Sequence, residues 1–306
     1  MTNRDSSLRT DCMIGLVLLV LAGSIGSPLI LQQRELARKE SCTANLTAFG
    51  KGFQEYVDKQ GHYPAVFTRI PVNHGWVVRL LPYMGHEAIT EKYDFSVFWS
   101  DPLNAEAIAT PVREFECPSA IYPGRIAVGT LPGNQHPYRG AVLDYLATNR
   151  ISPQVRESGF LPESTRVNGI LSREGVCPPR EIRDGTSCTT LMAEVAGTPA
   201  KYVFREKEAE PMYKQRGFGA WADGGTYFQG HGHQKNGRDW PGPCAVNCTN
   251  DDAVYSFHER GANVLYADGK VRFVSESLDV YILLAAITRD NGELLYPHEL
   301  GSTPHD

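Results

Sequence analysis

The chain has 306 residues, 42% of them apolar and 21% charged, which excludes wholesale disorder and allows one large domain or two modest ones. Its net charge of -5 and the lack of any Lys/Arg run exclude a nucleic-acid-binding footprint. The 29 Gly and 20 Pro favour turns and long loops over a helical bundle.

Residues 12 to 31 read CMIGLVLLVLAGSIGSPLIL, an uncharged run of about 20 residues, enough to cross a bilayer as a helix. Arg4, Asp5, Arg9 and Asp11 precede it, and Arg34, Glu35, Arg38, Lys39 and Glu40 follow. Positive charge on both flanks leaves its orientation open. The same stretch would also serve as a cleavable export signal, with small residues at Ala22-Gly23-Ser24 or Gly26-Ser27.

A retained helix is favoured by what comes next. Residues 32 to 60 carry no Pro and are rich in good helix formers, and Leu46, Phe49, Phe53 and Tyr56 recur at helical spacing. Gly61 and Pro64 end the run. The predicted organisation is a short leader or flank (1–11), a transmembrane helix segment (12–31), an amphipathic stem (32–60) and an extracytoplasmic head (61–306). Beyond Cys12 six cysteines remain: Cys42, Cys117, Cys177, Cys188, Cys244 and Cys248. An oxidising compartment would favour disulfides among them, with the pairing undetermined by sequence.

Asp184-Gly185-Thr186-Ser187 predicts a turn, followed by a buried strand over residues 189 to 196. Ser187 lacks the small-residue bracket of a nucleophile elbow, and no His or acid can be assigned to it. Phosphate loops, H-E-x-x-H and EF-hand patterns are also absent from the sequence.

The glycine-rich stretch 217–243 carries Trp221, Tyr227, Trp240, His231 and His233 and leads into Cys244-x-x-x-Cys248. It predicts a long loop whose exposed aromatics Trp221, Tyr227 and Trp240 form a contact surface. His231, His233, Cys244 and Cys248 are suitable zinc ligands in kind, but their spacing departs from common zinc modules, and export favours bonding the two sulfurs to each other. No metal or cofactor is assigned.

Residues 263 to 274, NVLYADGKVRFV, alternate around Asp268-Gly269 and predict a hairpin with a type I′ turn. His258, near Gly261, is expected to cap or hydrogen-bond that hairpin. Ser275 or Ser277 would cap a following helix with Leu278, Tyr281, Ile282, Ala285 and Ala286 on one face, stopped by Asn291-Gly292.

Several motifs in this order resemble one family. Pro28 and Cys42-Thr43-Ala44-Asn45-Leu46 are similar to the late-helix Pro and C-x-x-N-L of the DUF1559 family of pseudopilin-like proteins, abundant in planctomycete-type bacteria. His74-Gly75-Trp76 through Leu80-Leu81-Pro82-Tyr83, Tyr93-Asp94-Phe95, Trp99-Ser100-Asp101-Pro102 and Cys117-Pro118-Ser119 resemble further blocks of it. So do Asp184-Gly185-Thr186-Ser187, and His258 followed after nine residues by Asp268-Gly269.

The resemblance implies an α+β fold: a pilin-like long N-terminal helix packed on an antiparallel sheet, with an enlarged loop-rich head. It places Asp11 at the family's acidic position, and Ser6-Ser7 where its prepilin cleavage junction has Gly-Phe. A carboxylate there would be eased by a neighbouring subunit's cleaved N-terminal amine, since burying it alone costs roughly 2.5 to 3.5 kcal/mol.

The expected function is non-enzymatic. The chain would be a single-pass bacterial inner-membrane protein with a periplasmic or extracellular head, a pseudopilin-like subunit of a filament or secretion-type assembly. Its partners would be copies of itself or other pilin-like subunits, with no nucleic acid. The alternative is an anchored module capturing a glycan, peptide or solute through residues 217–243. A third reading is an exported metal enzyme using His231, His233 and His258.

Overall fold

In the computed structural model of the chain, residues 3–68, 72–130, 137–173, 175–209 and 219–303 are described, with side chains from Ile30 onward. Ser6, Ser7, Asp11 and Pro28 lie outside the residues whose side chains are described, as does nearly all of the apolar run, and Gly217 is outside as well. Among the described residues, no helix is long and apolar enough to cross a membrane.

One helix, α1, runs Asn3–Gln60. The chain divides into two units, Met1–Glu40 and Ser41–Asp306, so the second half of the stem belongs with the head rather than forming a segment of its own. In that unit Cys42, Leu46, Phe49, Phe53, Tyr56 and Val57 are buried, which matches the helical spacing of the stripe. The Phe49 ring lies 5.3 Å from Phe115, 5.8 Å from Trp76 and 6.1 Å from Tyr145. Burying each such side chain contributes about 1.5–3 kcal/mol. Gly50 lets the helix come close to the sheet, since a Cβ there would sit 3.1 Å from the Leu265 side chain. Gly61, at φ 77°, ends α1 with its N–H on the Val57 carbonyl.

The strands are β1 (Phe67–Thr68), β2 (His74–Gly75), β3 (Ile126–Thr130), β4 (Pro137–Ala141), β5 (Tyr145–Ile151) and β6 (Thr190–Glu194). They continue with β7 (Tyr202–Val203), β8 (Glu206–Lys207), β9 (Tyr227–Gly230), β10 (Gly261–Tyr266) and β11 (Val271–Ser275). Five of them form the main sheet in the order β11-β10-β6-β5-β9; β1-β2, β3-β4 and β7-β8 make separate two-stranded ribbons. Four short helices punctuate the loops: α2 (Trp76–Leu80), α3 (Glu87–Glu91), α4 (Ala105–Ile108) and α5 (Pro153–Glu157). The last, α6, is Val280–Ile287.

The fold is α+β as expected, with three refinements. The main sheet is antiparallel except for β9, which pairs parallel to β5 and lies inside the stretch expected to be a long loop. Its Gly-rich surroundings hide a run of only four residues. The hairpin turn is a three-residue loop with only Gly269 at positive φ (79°), not a type I′ turn. The reason is tertiary: the Ala267 and Asp268 N–H groups donate to Thr189 and Thr186, which holds Asp268 in ordinary backbone.

α6 is capped by Asp279, whose side chain accepts from the Tyr281 N–H, rather than by Ser275 or Ser277, and its C-cap is Thr288, ahead of Asn291-Gly292. Val280, Leu283, Leu284, Ala286 and Ile287 are buried and Tyr281 is 51% exposed, a different face from the expected one. Every residue of α6 is apolar or aromatic, so packing on the sheet selects the face.

Candidate functional site

Two places gather polar side chains. The first lies where α1 meets the sheet. Cys42 is the first residue of the buried stripe, one turn before Leu46. Glu194 is the last residue of β6 and pairs in register with Tyr145 of β5, so both side chains rise from the same face of the sheet. The Tyr145 hydroxyl accepts from Asn45 of α1, and the same Asn45 amide donates to the Glu116 carbonyl, next to Cys117. The Cys117 N–H donates to Asp144, a fully buried carboxylate that also receives the Gly197 N–H and is paired with Arg125.

These anchors bring four groups together. Cys42 Sγ stands 2.8 Å from Cys117 Sγ, Cys117 Sγ 3.8 Å from His258 Nε2, and His258 Nε2 3.4 Å from Glu194 Oε1. Ser119 Oγ lies 3.3 Å from His258 Nδ1, and Glu194 Oε2 accepts from the Asn263 N–H at 2.6 Å. All four are 0–2% exposed. Burial opposes the imidazolium, yet hydrogen bonds to Cys117 and Glu194 and the Glu194 charge outweigh it and push His258 up to about 11. Burial, reinforced by Cys117, pushes the Cys42 thiol up.

The His258 ring faces Cys117 and Glu194, whose other oxygen accepts from Asn263 of the hairpin it was expected to cap or hydrogen-bond, and its backbone N–H is held by Ser256 Oγ. The remaining motif residues act at turns. Asp184 accepts from the Asn291 and Gly292 N–H groups, and Gly185, at φ 92°, accepts from the Thr189 hydroxyl. Asp268 accepts from the Lys270 N–H and pairs with Arg272.

The second place is a cleft of about 390 Å³ at the C-terminal ends of β5 and β9. Arg150, Gln154, Gln229, His231, His233, Arg238, Trp240 and Asp251 line it. His231 Nε2 and His233 Nε2 approach to 3.4 Å, and the Trp240 ring lies 4.7 Å from His231, tilted 38° to it. Burial, then His233, holds His231 down to about 3; burial, then Lys201, holds His233 at about 4. Both rings are therefore neutral near pH 7 and present donor and acceptor nitrogens. With two guanidinium groups, the two carboxylates of Asp251 and Asp252 and an indole face, the cleft is suited to a polar ligand with a flat face.

The expected aromatic surface does not hold together. Trp240 is 43% exposed and lines the cleft, but Trp221 is fully buried, with its Nε1–H on the Thr110 carbonyl. It sits in the core beside Phe115 because apolar burial of an indole outweighs its place in a glycine-rich segment. Tyr227 is half-buried against Phe67, with Arg173 over both rings. Cys244 and Cys248 are joined by a disulfide, so neither sulfur is available to share a metal with His231 and His233.

Glu194, Asp144 and Tyr145 were not singled out by sequence. The available signal for Glu194 was a lone carboxylate inside the apolar run LMAEVA.

A long helix packed by its apolar stripe onto a mixed sheet, with Cys42, Cys117 and His258 meeting behind it, defines an α+β protein organised around one helix–sheet junction. The chain belongs to the DUF1559 family: a family model described as a protein of unknown function (DUF1559) matches residues 32–281. No curated protein and no solved structure matches it.

Proposed function

We propose that the chain is an exported, membrane-anchored, non-enzymatic subunit of a pilin-like filament or secretion-type assembly. The observation that carries this reading is α1, a single helix whose sequence is apolar over residues 12–31 and whose Cys42–Val57 stripe is buried in the head. An anchor continuous with a packed stem is what a subunit needs to carry a head on a membrane or along a filament. The buried junction supports a non-enzymatic role, since groups at 0–2% exposure offer a substrate no approach.

The test is the mass of the mature N-terminus from native membranes, together with an Asp11→Ala variant. A chain starting at Ser7, with assembly lost in the variant, agrees with the subunit; cleavage near Ser27 sinks it.

A second reading draws on the cleft: an anchored module that captures a glycan or peptide. Of the four Trp residues, Trp76, Trp99 and Trp221 are at most 1% exposed while Trp240 is 43% exposed, so a ligand stacking there would shield one fluorophore. Titrating the full chain with cell-wall glycan fragments and reading iodide quenching checks it. Unchanged quenching at saturating fragment would count against glycan capture.

A further inference from the structure

Cys42 and Cys117 are separated by 75 positions in sequence, yet their sulfurs lie 2.8 Å apart. Both partners are placed by contacts that do not involve sulfur. On one side Asn45 ties α1 to the Glu116 carbonyl and to Tyr145; on the other the Asp144 carboxylate holds the Cys117 N–H at 2.8 Å. The fold thus presents the two thiols to each other whether or not they react. We propose that Cys42 and Cys117 form a disulfide in the mature protein, stapling the stem helix to the Cys-Pro-Ser loop of the head.

Shared metal binding is the competing use of these groups, because Cys42, Cys117, Glu194 and His258 offer ligand atoms all within 4.8 Å of one another. Two observations favour the bond. Tetrahedral zinc with Zn–S bonds of about 2.3 Å holds two sulfurs roughly 3.8 Å apart, whereas a disulfide needs about 2.0 Å. The observed 2.8 Å lies nearer the second. Moreover, His258 and Glu194 already form a buried pair, which a metal would have to break by taking both.

Forming the bond removes one hydrogen from each thiol. The two electrons and two protons pass by thiol–disulfide exchange to a disulfide-bearing oxidant, which leaves as a dithiol. The proposal rests on reading the chain as exported, since an oxidising compartment is what keeps such a bond.

The experiment is a peptide map of the full chain, extracted from native membranes into denaturant with an alkylating agent and no reductant. The expected result is a Cys42 peptide joined to a Cys117 peptide and released by dithiothreitol. Cys244–Cys248 serves as the internal reporter. If that bridge is intact while Cys42 and Cys117 are both alkylated, the pairing is wrong and the export reading stands.

If all four sulfurs are alkylated, the export reading fails and the bond in the mature protein fails with it; oxidation of the folded chain with oxidised glutathione that still does not link Cys42 to Cys117 shows that the geometric pairing is wrong as well. One zinc retained per chain with both thiols free overturns it in favour of a metal centre.

Cys42→Ser and Cys117→Ser should each shift the unfolding equilibrium by roughly a thousand-fold, as expected for a closed loop of this length. The double variant should lose no more than either single one. Additive losses would show that the two sulfurs act separately.

Discussion

The junction around Cys42 draws its side chains from α1, the 117–119 loop, β6 and the loop before β10, and hides them from water. The cleft around Trp240 is assembled from the ends of β5 and β9 and the loops beyond them. Opposite charge states mark the two. His258 is held protonated against a buried carboxylate, while His231 and His233 are held neutral. The family-like Cys, Cys-Pro-Ser and His motifs converge on the junction; none of them lines the cleft. Long-range contacts between motif residues therefore hold the junction, whereas the cleft is lined by residues outside those motifs.

The comparison is broken most directly by removing a partner at the junction. Glu194→Ala leaves His258 without its counter-charge and the Asn263 N–H without an acceptor, and should cost about 3–5 kcal/mol in denaturant unfolding. A loss below 1 kcal/mol would mean that the junction is not where the head is held. Phe49→Ala, which empties the aromatic cluster behind α1, should cost about 3–5 kcal/mol as well.

The pH dependence should have opposite signs at the two places. With Cys117 as a thiol the folded-state value of His258 is raised from 6.5 to about 11, so its contribution is complete below pH 6.5 and is lost as pH rises towards 11; bonding Cys117 to Cys42 removes the Cys117 share and leaves that of Glu194. His231 and His233 are lowered to about 3 and about 4, so their contribution is present above pH 6.5 and is lost as pH falls through that range. Each titrating proton tilts stability by about 1.4 kcal/mol per pH unit. His258→Gln should flatten the alkaline limb of a stability profile, and His231→Gln the acid limb. Identical profiles for both variants would erase the distinction.

The smallest effect belongs to the cleft's aromatic rim. Trp240→Ala should change stability by less than about 1 kcal/mol, since the ring is partly exposed, while removing most iodide-quenchable fluorescence.

Much of the scaffold was legible because it repeats locally. The α1 stripe, the strand after Asp184-Gly185 and the hairpin at Asp268-Gly269 follow from periodicity and turn chemistry. β9 was not legible, because its partner β5 lies some 80 positions earlier and the intervening segments mask the pairing. The junction was half legible: Cys42, Cys117 and His258 stood out as motif residues, but nothing local says that they meet, or that Glu194 completes them. Trp221 and Trp240 share one glycine-rich segment and part ways only through tertiary packing. The α6 face was misassigned because all of Val280–Ile287 is apolar or aromatic, so helical spacing alone does not select which side is buried.

At the outer edge of β11, Ser302 exchanges both backbone hydrogen bonds with Phe273, and Gly301 permits the approach, since a Cβ there would meet the Phe273 carbonyl. An exposed strand edge is a template on which another chain can extend a sheet. Here the protein's own segment occupies that template at its centre, so a second copy cannot add a strand at this edge without first peeling the segment away. Sheet growth at this edge, and the irreversible aggregation it invites, are thereby blocked by the chain itself.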